Sequence, residues 1–548
     1  MSARQTNARR SHLLRLPREL LQMILYLSAP LPVYRRFHHY GSARYSDDRE
    51  SYLIPWLKLG HVCSELRETL LAMRQLWAEV AFLPHGLDAA QEYARRAADN
   101  PLSILVFSES KTISDAFIDF LQSCLAKARH VEITSTQVLS RMTDELQSLH
   151  LPVAERLVLD NRKYVHAGST VRITHMDWKP HQDVAQESFV AITKEPEPIF
   201  APCLKCLHLF NIVVPFDPSH LVELRLQMPK SGEDMWSAYI LAMLRRSPNL
   251  HTLEISDMMF NPHSATTARI PLPSLQDLFM LGENECILWL WSQIIIPSSV
   301  VPEVAIGGDL DLQPSVWDTI NALSEHVCRG RGARPVSGCS FVIDPFQYHL
   351  RLIIFTATGE QRSTTDEHRF SPFHQGHQRI LDVLVVCDMD IDSLHDNISR
   401  LCDLFGLAAV EKLEMGTLER VDECDEPFDT RYSQWLSAFP NVHTLCLHHF
   451  PFPVSGPDGD SKEEHQPDFA LLYPSLESLA ILHLSLDEGE LDEVVRMVGR
   501  RVSADLSLRE LKIASDGTWE PDGMAEESTL SSLRATLENL VPSVEFGT

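Results

Sequence analysis

The sequence predicts an α/β protein in which a small helical module precedes a repeated array of strands and helices. Three observations predict this class. Hydrophobic residues make up 44% of the 548 residues and charged residues 22%, which is the composition of a globular chain. Two amphipathic helical patterns occupy the first 82 residues. After residue 107 one apolar motif recurs along the chain, with helical patterns between its copies.

The N-terminal patterns predict a helical domain over residues 13–82, after a flexible N-terminus at 1–12. In the first pattern, Leu20, Ile24 and Leu27 recur at the i, i+4, i+7 spacing of one helix face. Pro17 suits the first turn of this helix, where its missing N–H costs no hydrogen bond.

A polar insert at residues 28–52 separates this helix from a second helical pattern over 56–70. A short apolar segment that contains Leu76 and Trp77 closes the domain near residue 82. Residues 83–107 then combine an Ala-rich helix with a first strand. This segment is the predicted joint between the helical domain and the array.

The array over residues 108–548 is built from the motif L-x-x-L-x-L, followed by an amphipathic helix and a loop. Copies that begin at Leu221, Leu250 and Leu275 are 29 and 25 residues apart. One strand–helix unit cannot bury its own apolar face, whereas stacked units share a continuous core. The pattern therefore predicts an irregular leucine-rich-repeat solenoid, in which a curved parallel sheet carries helices on its outer side.

Polar loop insertions interrupt this array. The predicted loops cover residues 160–199, 256–271, 327–340, 358–378 and 451–470. Between the loops at 327–340 and 358–378, the alternating pattern from Phe341 to Thr356 predicts an additional strand or a hairpin.

Charge and hydropathy exclude several functional classes. The formal net charge is −27, which argues against binding of nucleic acid or of anionic lipid through a basic surface. Residues 1–110 hold 14 basic and 11 acidic residues, whereas 411–548 hold 10 and 28; the acidic half favours a basic partner. The sequence has neither a secretory signal nor a long apolar run. These features predict an intracellular protein of the cytoplasm or the nucleus, with reduced cysteines.

Motifs that suggest chemistry are weak. Cys203-x-x-Cys206 has metal-ligand spacing, but it lies within a predicted strand and lacks a second cysteine or histidine pair. We interpret His448-His449 as solvated residues in or beside a loop. No phosphate-binding, dinucleotide-binding or nucleophile-elbow motif occurs. The sequence therefore predicts no enzyme, no catalytic residues, no metal and no cofactor.

The N-terminal residues carry a family resemblance. The pattern L-P-x-E-L-L-x-x-I-x-x-L, a variable insert, V-C-x-x-x-R and a terminal L-W resembles an F-box of the divergent form found in mushroom-type (basidiomycete) fungi. It covers roughly 70 residues, and the leucine-rich array is similar to the usual companion of such boxes. One departure is Leu66, which stands where the family usually has Trp.

The resemblance implies a substrate-recruiting subunit of a cullin–RING (SCF-type) ubiquitin ligase. Its F-box would bind a Skp-type adaptor, and through it a cullin scaffold, while the array would hold a protein target. Leu16 and Pro17 would enter the interface first, Leu20 and Ile24 would supply its stripe, and Leu76 and Trp77 would close the module. The residues implied to bind the adaptor are Leu16, Pro17, Leu20, Leu21, Ile24, Leu27, Val62, Cys63, Leu76 and Trp77.

Two alternatives stay open. A leucine-rich-repeat scaffold that does not assemble a ligase is compatible with the Leu66 departure, and adaptor binding distinguishes it from the ligase subunit. A hydrolase or transferase with its site in the polar loops predicts a nucleophile and titratable groups in one pocket. The sequence does not identify the target.

Overall fold

The computed structural model describes most, but not all, of the chain. The described ranges are 12–28, 55–82, 86–106, 113–146, 150–161, 199–212, 214, 216–227, 233–258, 268–307, 314–331, 336–344, 349–357, 377–386, 391–417, 438–448, 473–482, 488–514 and 527–547. Most of the predicted insert at 28–52 and most of four predicted loops, at 160–199, 256–271, 358–378 and 451–470, lie outside them. The described residues form two compact units, the first over 1–261 and 270–274 and the second over 262–269 and 275–548.

The first unit begins with helices, as the sequence predicts. They are α1 (Arg18–Ser28), α2 (Ser64–Ala72), α3 (Arg74–Glu79) and α4 (Leu87–Ala97), with a 3₁₀ turn at Pro55–His61 before α2. The amide of Leu21 donates to the Pro17 carbonyl at 3.0 Å, so Pro17 stands at the start of α1. Leu21 and Leu25 are the buried side chains of α1.

A parallel sheet follows in the same unit. Its strands are β1 (Leu102–Val106), β2 (Ala128–Ile133), β3 (Arg156–Asp160), β4 (Cys206–Phe210), β5 (Glu223–Gln227) and β6 (Thr252–Met258). They pair in sequence order, each parallel to the next. The helices described between them are α5 (Asp115–Leu125), α6 (Thr136–Leu146) and α7 (Glu233–Arg245). A strand β7 (Ile270–Pro271) also belongs to this unit.

The second unit holds a longer sheet. The strands of this unit are β8 (Asp277–Glu283), β9 (Ile294–Ile295), β10 (Val301–Gly307), β11 (Val336–Asp344), β12 (His349–Ala357), β13 (His377–Val386), β14 (Lys412–Thr417), β15 (Thr444–His448), β16 (Ser478–Leu482), β17 (Glu510–Ala514) and β18 (Ser543–Gly547). All of them except the short strand β9 belong to the longer sheet. Its helices are α8 (Asn284–Gln293), α9 (Pro314–Arg331), α10 (Ile391–Phe405), α11 (Glu488–Ser503) and α12 (Glu527–Leu540). From β14 to β18 the strands again pair in parallel and in sequence order.

These elements confirm the predicted α/β class and its largely parallel strands. They also show why the strands begin later than the motif. In L-x-x-L-x-L the first apolar residue is buried in a turn, and the strand begins at the third residue of the motif. The amide of Leu250, for example, donates to the Ser247 carbonyl in such a turn at 3.3 Å, and β6 begins at Thr252.

The pattern from Phe341 to Thr356 does form a hairpin. Strands β11 and β12 pair antiparallel, and β12 pairs antiparallel with β13. The predicted loop at 327–340 is wrong at both ends, because α9 continues to Arg331 and β11 begins at Val336. Small polar residues hide this strand in the sequence, although Val336, Cys339 and Phe341 are buried.

Candidate functional sites

The first site is an exposed apolar stripe on α1. Leu20, Met23, Ile24 and Leu27 are 45%, 59%, 39% and 76% exposed. Seven of the ten large apolar side chains that are exposed among the described residues lie between positions 13 and 71. Of these seven, four form the stripe on α1, and the other three are Leu13, Val62 and Leu71. Such clustering is typical of an interaction surface rather than of scattered surface residues.

The opposite side of the helical segment is firmly packed. Leu76 and Trp77 are buried, and the Trp77 indole Nε1 donates to the Leu70 carbonyl at 3.0 Å. The Tyr93 ring lies 5.1 Å from the Trp77 ring, and the Arg96 guanidinium carbon lies 4.5 Å from the ring centroid. The indole hydrogen bond joins α3 to α2, and the contacts of Tyr93 and Arg96 hold α4 against α3.

The ten residues implied to bind the adaptor therefore divide into two groups. Leu21, Leu76 and Trp77 lie inside the chain, so in this structure they hold the module together and present no surface to a partner. Pro17, Leu20, Ile24, Leu27 and Val62 are exposed, and Leu16 and Cys63 are half-buried. The structure thus brings together on α1 only part of the implied set, and Met23 joins it.

The V-C-x-x-x-R segment shapes the start of α2. The Cys63 sulfur accepts from the Leu66 amide at 3.5 Å and caps the helix. The Arg67 Nε donates to the Gly60 carbonyl at 2.9 Å and ties the preceding turn to α2. Leu66 is buried, so the residue that departs from the family pattern is a core residue here.

The second site is a polar face of the first sheet. Strand registers align Val131, Leu157, Leu207, Leu224 and Leu253 on the buried side. Because side chains alternate along a strand, the intervening residues share the opposite face. This face, which we call the first polar face, consists of His130, Glu132, Arg156, Val158, Cys206, His208, Glu223, Arg225, Thr252 and Glu254.

Ion pairs connect the first polar face across the strands. The His208 Nε2 donates to Glu223 Oε1 at 2.8 Å, and the Arg225 Nε donates to the same oxygen at 2.8 Å. Arg225 also pairs with Glu254 at 3.1 Å, and Arg156 donates to His208 Nδ1 at 3.5 Å. An imidazole that donates through Nε2 and accepts at Nδ1 is neutral.

Burial and charge shift three groups on this face. Burial lowers the pKa of His208 to about 4, against the hydrogen bond to Glu223. Burial would raise the pKa of Glu223, but the hydrogen bond from His208 and the charges of Arg225 and Arg156 bring it below its ordinary value. Burial raises the pKa of Glu132 to about 7, although Arg156 opposes the shift.

A corresponding face lies on the sheet of the second unit. This second polar face includes Glu303, Arg351, Asp382, Glu414, Cys446, His448, Glu510, Lys512 and Glu545. The Arg351 guanidinium makes two hydrogen bonds with Asp382, at 2.9 and 2.7 Å, and Arg379 bonds both Asp382 and Glu303. Against the effect of burial, the carboxylates of Asp382, Glu303 and Glu414 hold the pKa of Arg351 above its ordinary value. At the far strands, Glu510 and Glu545 pair with Lys512 and are 41% and 67% exposed.

Three metal-type donors meet on this second polar face. Glu414 and Cys446 are register partners on β14 and β15, and His448 lies two residues beyond Cys446 on the same side. The His448 Nε2 is 2.7 Å from Glu414 Oε1 and 3.4 Å from Cys446 Sγ. Burial and the Glu414 charge raise the pKa of the Cys446 thiol. The sequence hypothesis that His448 is a solvated loop residue is wrong, because His448 ends β15 and its side chain is only 19% exposed.

Sequence reasoning missed both polar faces. A signal was present, since the central residue of several L-x-L segments is charged or polar, as at His208, Arg225, Glu254 and Glu414. What the sequence lacked was the strand register, which decides which of these residues become neighbours. Cys206 lies on the side of β4 opposite Leu207. Burial raises the pKa of its thiol to about 11.

Comparison with known proteins gives no further assignment. No protein-family model matches the chain, and a search of curated proteins gives no match. Within the described residues, no helix has the length and apolar character needed to cross a membrane.

Proposed function

We propose that the chain is a substrate-recruiting subunit of a cullin–RING ubiquitin ligase, in which the α1 stripe binds a Skp-type adaptor. The observation that carries this proposal is the exposure of Leu20, Met23, Ile24 and Leu27 along one side of α1 while Leu21 and Leu25 pack inward. Helices that present an apolar stripe with polar surroundings bind partners through such faces.

The packing between the helical segment and the first sheet supports this function. The Ser103 hydroxyl on β1 donates to Glu79 at 2.7 Å, and the Phe82 ring stacks on Phe120 at 5.6 Å. A ligase subunit works by holding its target at high effective concentration near the ubiquitin carrier. A packed joint between the adaptor-binding helices and the target-binding strands serves that purpose better than a free linker.

We propose that the target binds at the exposed end of the second polar face, on strands β17 and β18. The charged side chains there, Glu510, Lys512 and Glu545, are not part of the apolar core. The half-exposed carboxylates Glu510 and Glu545 at the acidic end of the second sheet favour a basic protein target. In this proposal the chain itself carries out no chemistry.

The test is binding of the purified full chain to a Skp-type adaptor. The Leu20→Asp/Ile24→Asp variant should retain its helical circular dichroism, because both side chains are exposed, and should bind at least about 100-fold more weakly, since each buried aliphatic contributes about 1.5–3 kcal/mol. Val153→Asp is the matched control, because Val153 is 39% exposed but lies outside the helical segment; it should bind like the wild type.

The alternative is an interaction scaffold that assembles no ligase. The buried Leu66 favours it, because a smaller side chain replaces the usual Trp inside the module. If the folded wild type does not bind the adaptor, or if the double variant binds as well as the wild type, the ligase proposal fails and the scaffold remains.

A further inference from the structure

The second polar face contains a cluster whose chemistry the proposed function does not use. Glu414, Cys446 and His448 each offer one donor atom, and the three donor atoms lie within 4.8 Å of one another. Glu414 and Cys446 are buried, and His448 is half-buried. We propose that these three residues bind a zinc-type divalent transition metal ion.

The distances are close to those of a tetrahedral site. With Zn–N near 2.0–2.1 Å and Zn–S near 2.3 Å, the nitrogen and the sulfur of one zinc ion lie about 3.6 Å apart. The observed Cys446 Sγ to His448 Nε2 distance is 3.4 Å. The Glu414 oxygen lies 2.7 Å from the same nitrogen, whereas two ligands of one zinc ion lie about 3.3 Å apart. An opening of roughly 0.6 Å between these two side chains therefore admits the ion.

The strands explain why the donors converge. Adjacent parallel strands lie about 4.8 Å apart, so register partners on one face, here Glu414 and Cys446, are direct neighbours. His448 reaches back over β14 because its own register partner there is Gly416. A Cβ at position 416 would lie 2.6 Å from the His448 Cβ, so the missing side chain provides the space.

Thiolate, imidazole and carboxylate together select zinc over the oxygen-preferring ions magnesium and calcium. On binding, the Cys446 thiol releases its proton to solvent and the sulfur forms a bond to the metal. The imidazole proton moves from Nε2 to Nδ1, so that the Nε2 lone pair binds the metal in place of the hydrogen bond to Glu414. Three protein ligands then leave one tetrahedral position for water or for a further ligand.

A nucleophilic site of the hydrolase type fits the same residues less well. In a Cys–His–acid arrangement the thiol and the carboxylate use different ring nitrogens. Here both contact His448 Nε2, so a proton shared with Glu414 leaves that nitrogen unable to accept one from the thiol. Cys446 is also fully buried, which prevents attack on a substrate.

The sequence provides a matched control on the first polar face. Cys206-Leu207-His208 repeats Cys446-Leu447-His448, and its histidine also pairs with a glutamate, Glu223. There, however, Arg225 already bonds the same carboxylate oxygen and Arg156 donates to the imidazole. We expect no metal at that position.

The experiment is titration of the metal-free full chain with Co²⁺, a spectroscopic substitute for Zn²⁺, followed by displacement with Zn²⁺. The wild type should bind one equivalent with a thiolate-to-cobalt charge-transfer band. Cys446→Ser should abolish the band, and His448→Gln should weaken binding by about 100-fold or more, because loss of an outer-shell partner alone costs 10–100-fold. Cys206→Ser and His208→Gln should bind like the wild type.

Three results would overturn the proposal: no band in the wild type, a band that survives Cys446→Ser, or equal loss in Cys206→Ser. If Cys446→Ser does not fold, Glu414→Gln replaces it. This isosteric variant keeps the thiolate band and should weaken metal binding by about tenfold or more. Unchanged affinity in a folded Glu414→Gln variant would contradict the three-ligand site. None of these outcomes depends on adaptor binding.

Discussion

The strands β4 and β15 contain the same tripeptide, Cys-Leu-His, in two different surroundings. In both, the leucine faces the core and the histidine Nε2 contacts a glutamate on a neighbouring strand, at 2.8 Å for His208 and 2.7 Å for His448. In β4 the register partners of the histidine are Val158 and Arg225. In β15 they are Gly416 and Leu482.

This difference separates an ion-pair network from a donor cluster. Arg225 and Arg156 bond the glutamate and histidine of the first triad, so its polar atoms serve the fold. In the second triad the glycine lets the imidazole approach both a carboxylate and a thiol. The comparison teaches that a short motif on a sheet is defined by the residues beside it on adjacent strands, and not by its own sequence.

The largest effect should distinguish the two glutamates. Glu223→Ala leaves His208 and Arg225 in a buried site without their shared carboxylate, so it should lower the free energy of unfolding by about 3–5 kcal/mol. Glu414→Ala, measured without metal, should cost less, about 1–2 kcal/mol, because Arg351 keeps its two hydrogen bonds to Asp382 when Glu414 is lost. Urea unfolding of the two full-length variants provides the comparison, and equal losses would contradict the distinction.

The next effect concerns the glycine that separates the triads. In Gly416→Ala the new Cβ would meet the His448 Cβ at 2.6 Å and the His448 carbonyl oxygen at 3.0 Å. We therefore expect the free energy of unfolding to fall by about 2–3 kcal/mol. We also expect the cobalt band to disappear. The control is Gly499→Ala, because a Cβ at this position on α11 would meet nothing within 4 Å besides the backbone of its own helix and its chain neighbours. Alanine there should stabilise the helix by up to about 1 kcal/mol. A stable Gly416→Ala variant that binds cobalt normally would show that the glycine is not needed.

A third effect concerns the pH dependence of stability on the first polar face. Burial raises the pKa of Glu132 from 4.5 to about 7, so between these values the folded state holds a proton that the unfolded state releases. Stability from this group is therefore present at acidic pH and is lost as the pH rises from 4.5 through 7. Glu132→Gln should remove the dependence and gain up to about 3 kcal/mol over the wild type at pH 8. Thermal unfolding of the wild type and of Glu132→Gln at pH 5 and pH 8 measures this dependence. If the two proteins differ in stability by the same amount at both pH values, Glu132 is not the cause.

Much of the fold was predictable because repeat strands and amphipathic helices depend on local periodicity. The exposed stripe of α1 was predictable for the same reason. Strand β2 was missed because His130 and Glu132 interrupt its apolar pattern, and the start of β11 was missed because of its small polar residues. The polar faces were missed because they depend on register between segments as far apart as Cys206 and Glu223, which no local pattern contains.

The hairpin in the second sheet has a consequence for synthesis of the chain. Strand β10 pairs with β13, and β11 pairs with β14. Strand β12 lies between β13 and β11, so β10 does not pair with the strand that follows it in sequence. When β10 leaves the ribosome, its pairing edge waits for β13, which ends 79 residues later. At 5–20 residues per second this wait is roughly 4–16 s. During translation an apolar strand edge is thus open to wrong pairing. Strands that pair with the next strand in sequence, such as β14 with β15, have a shorter delay.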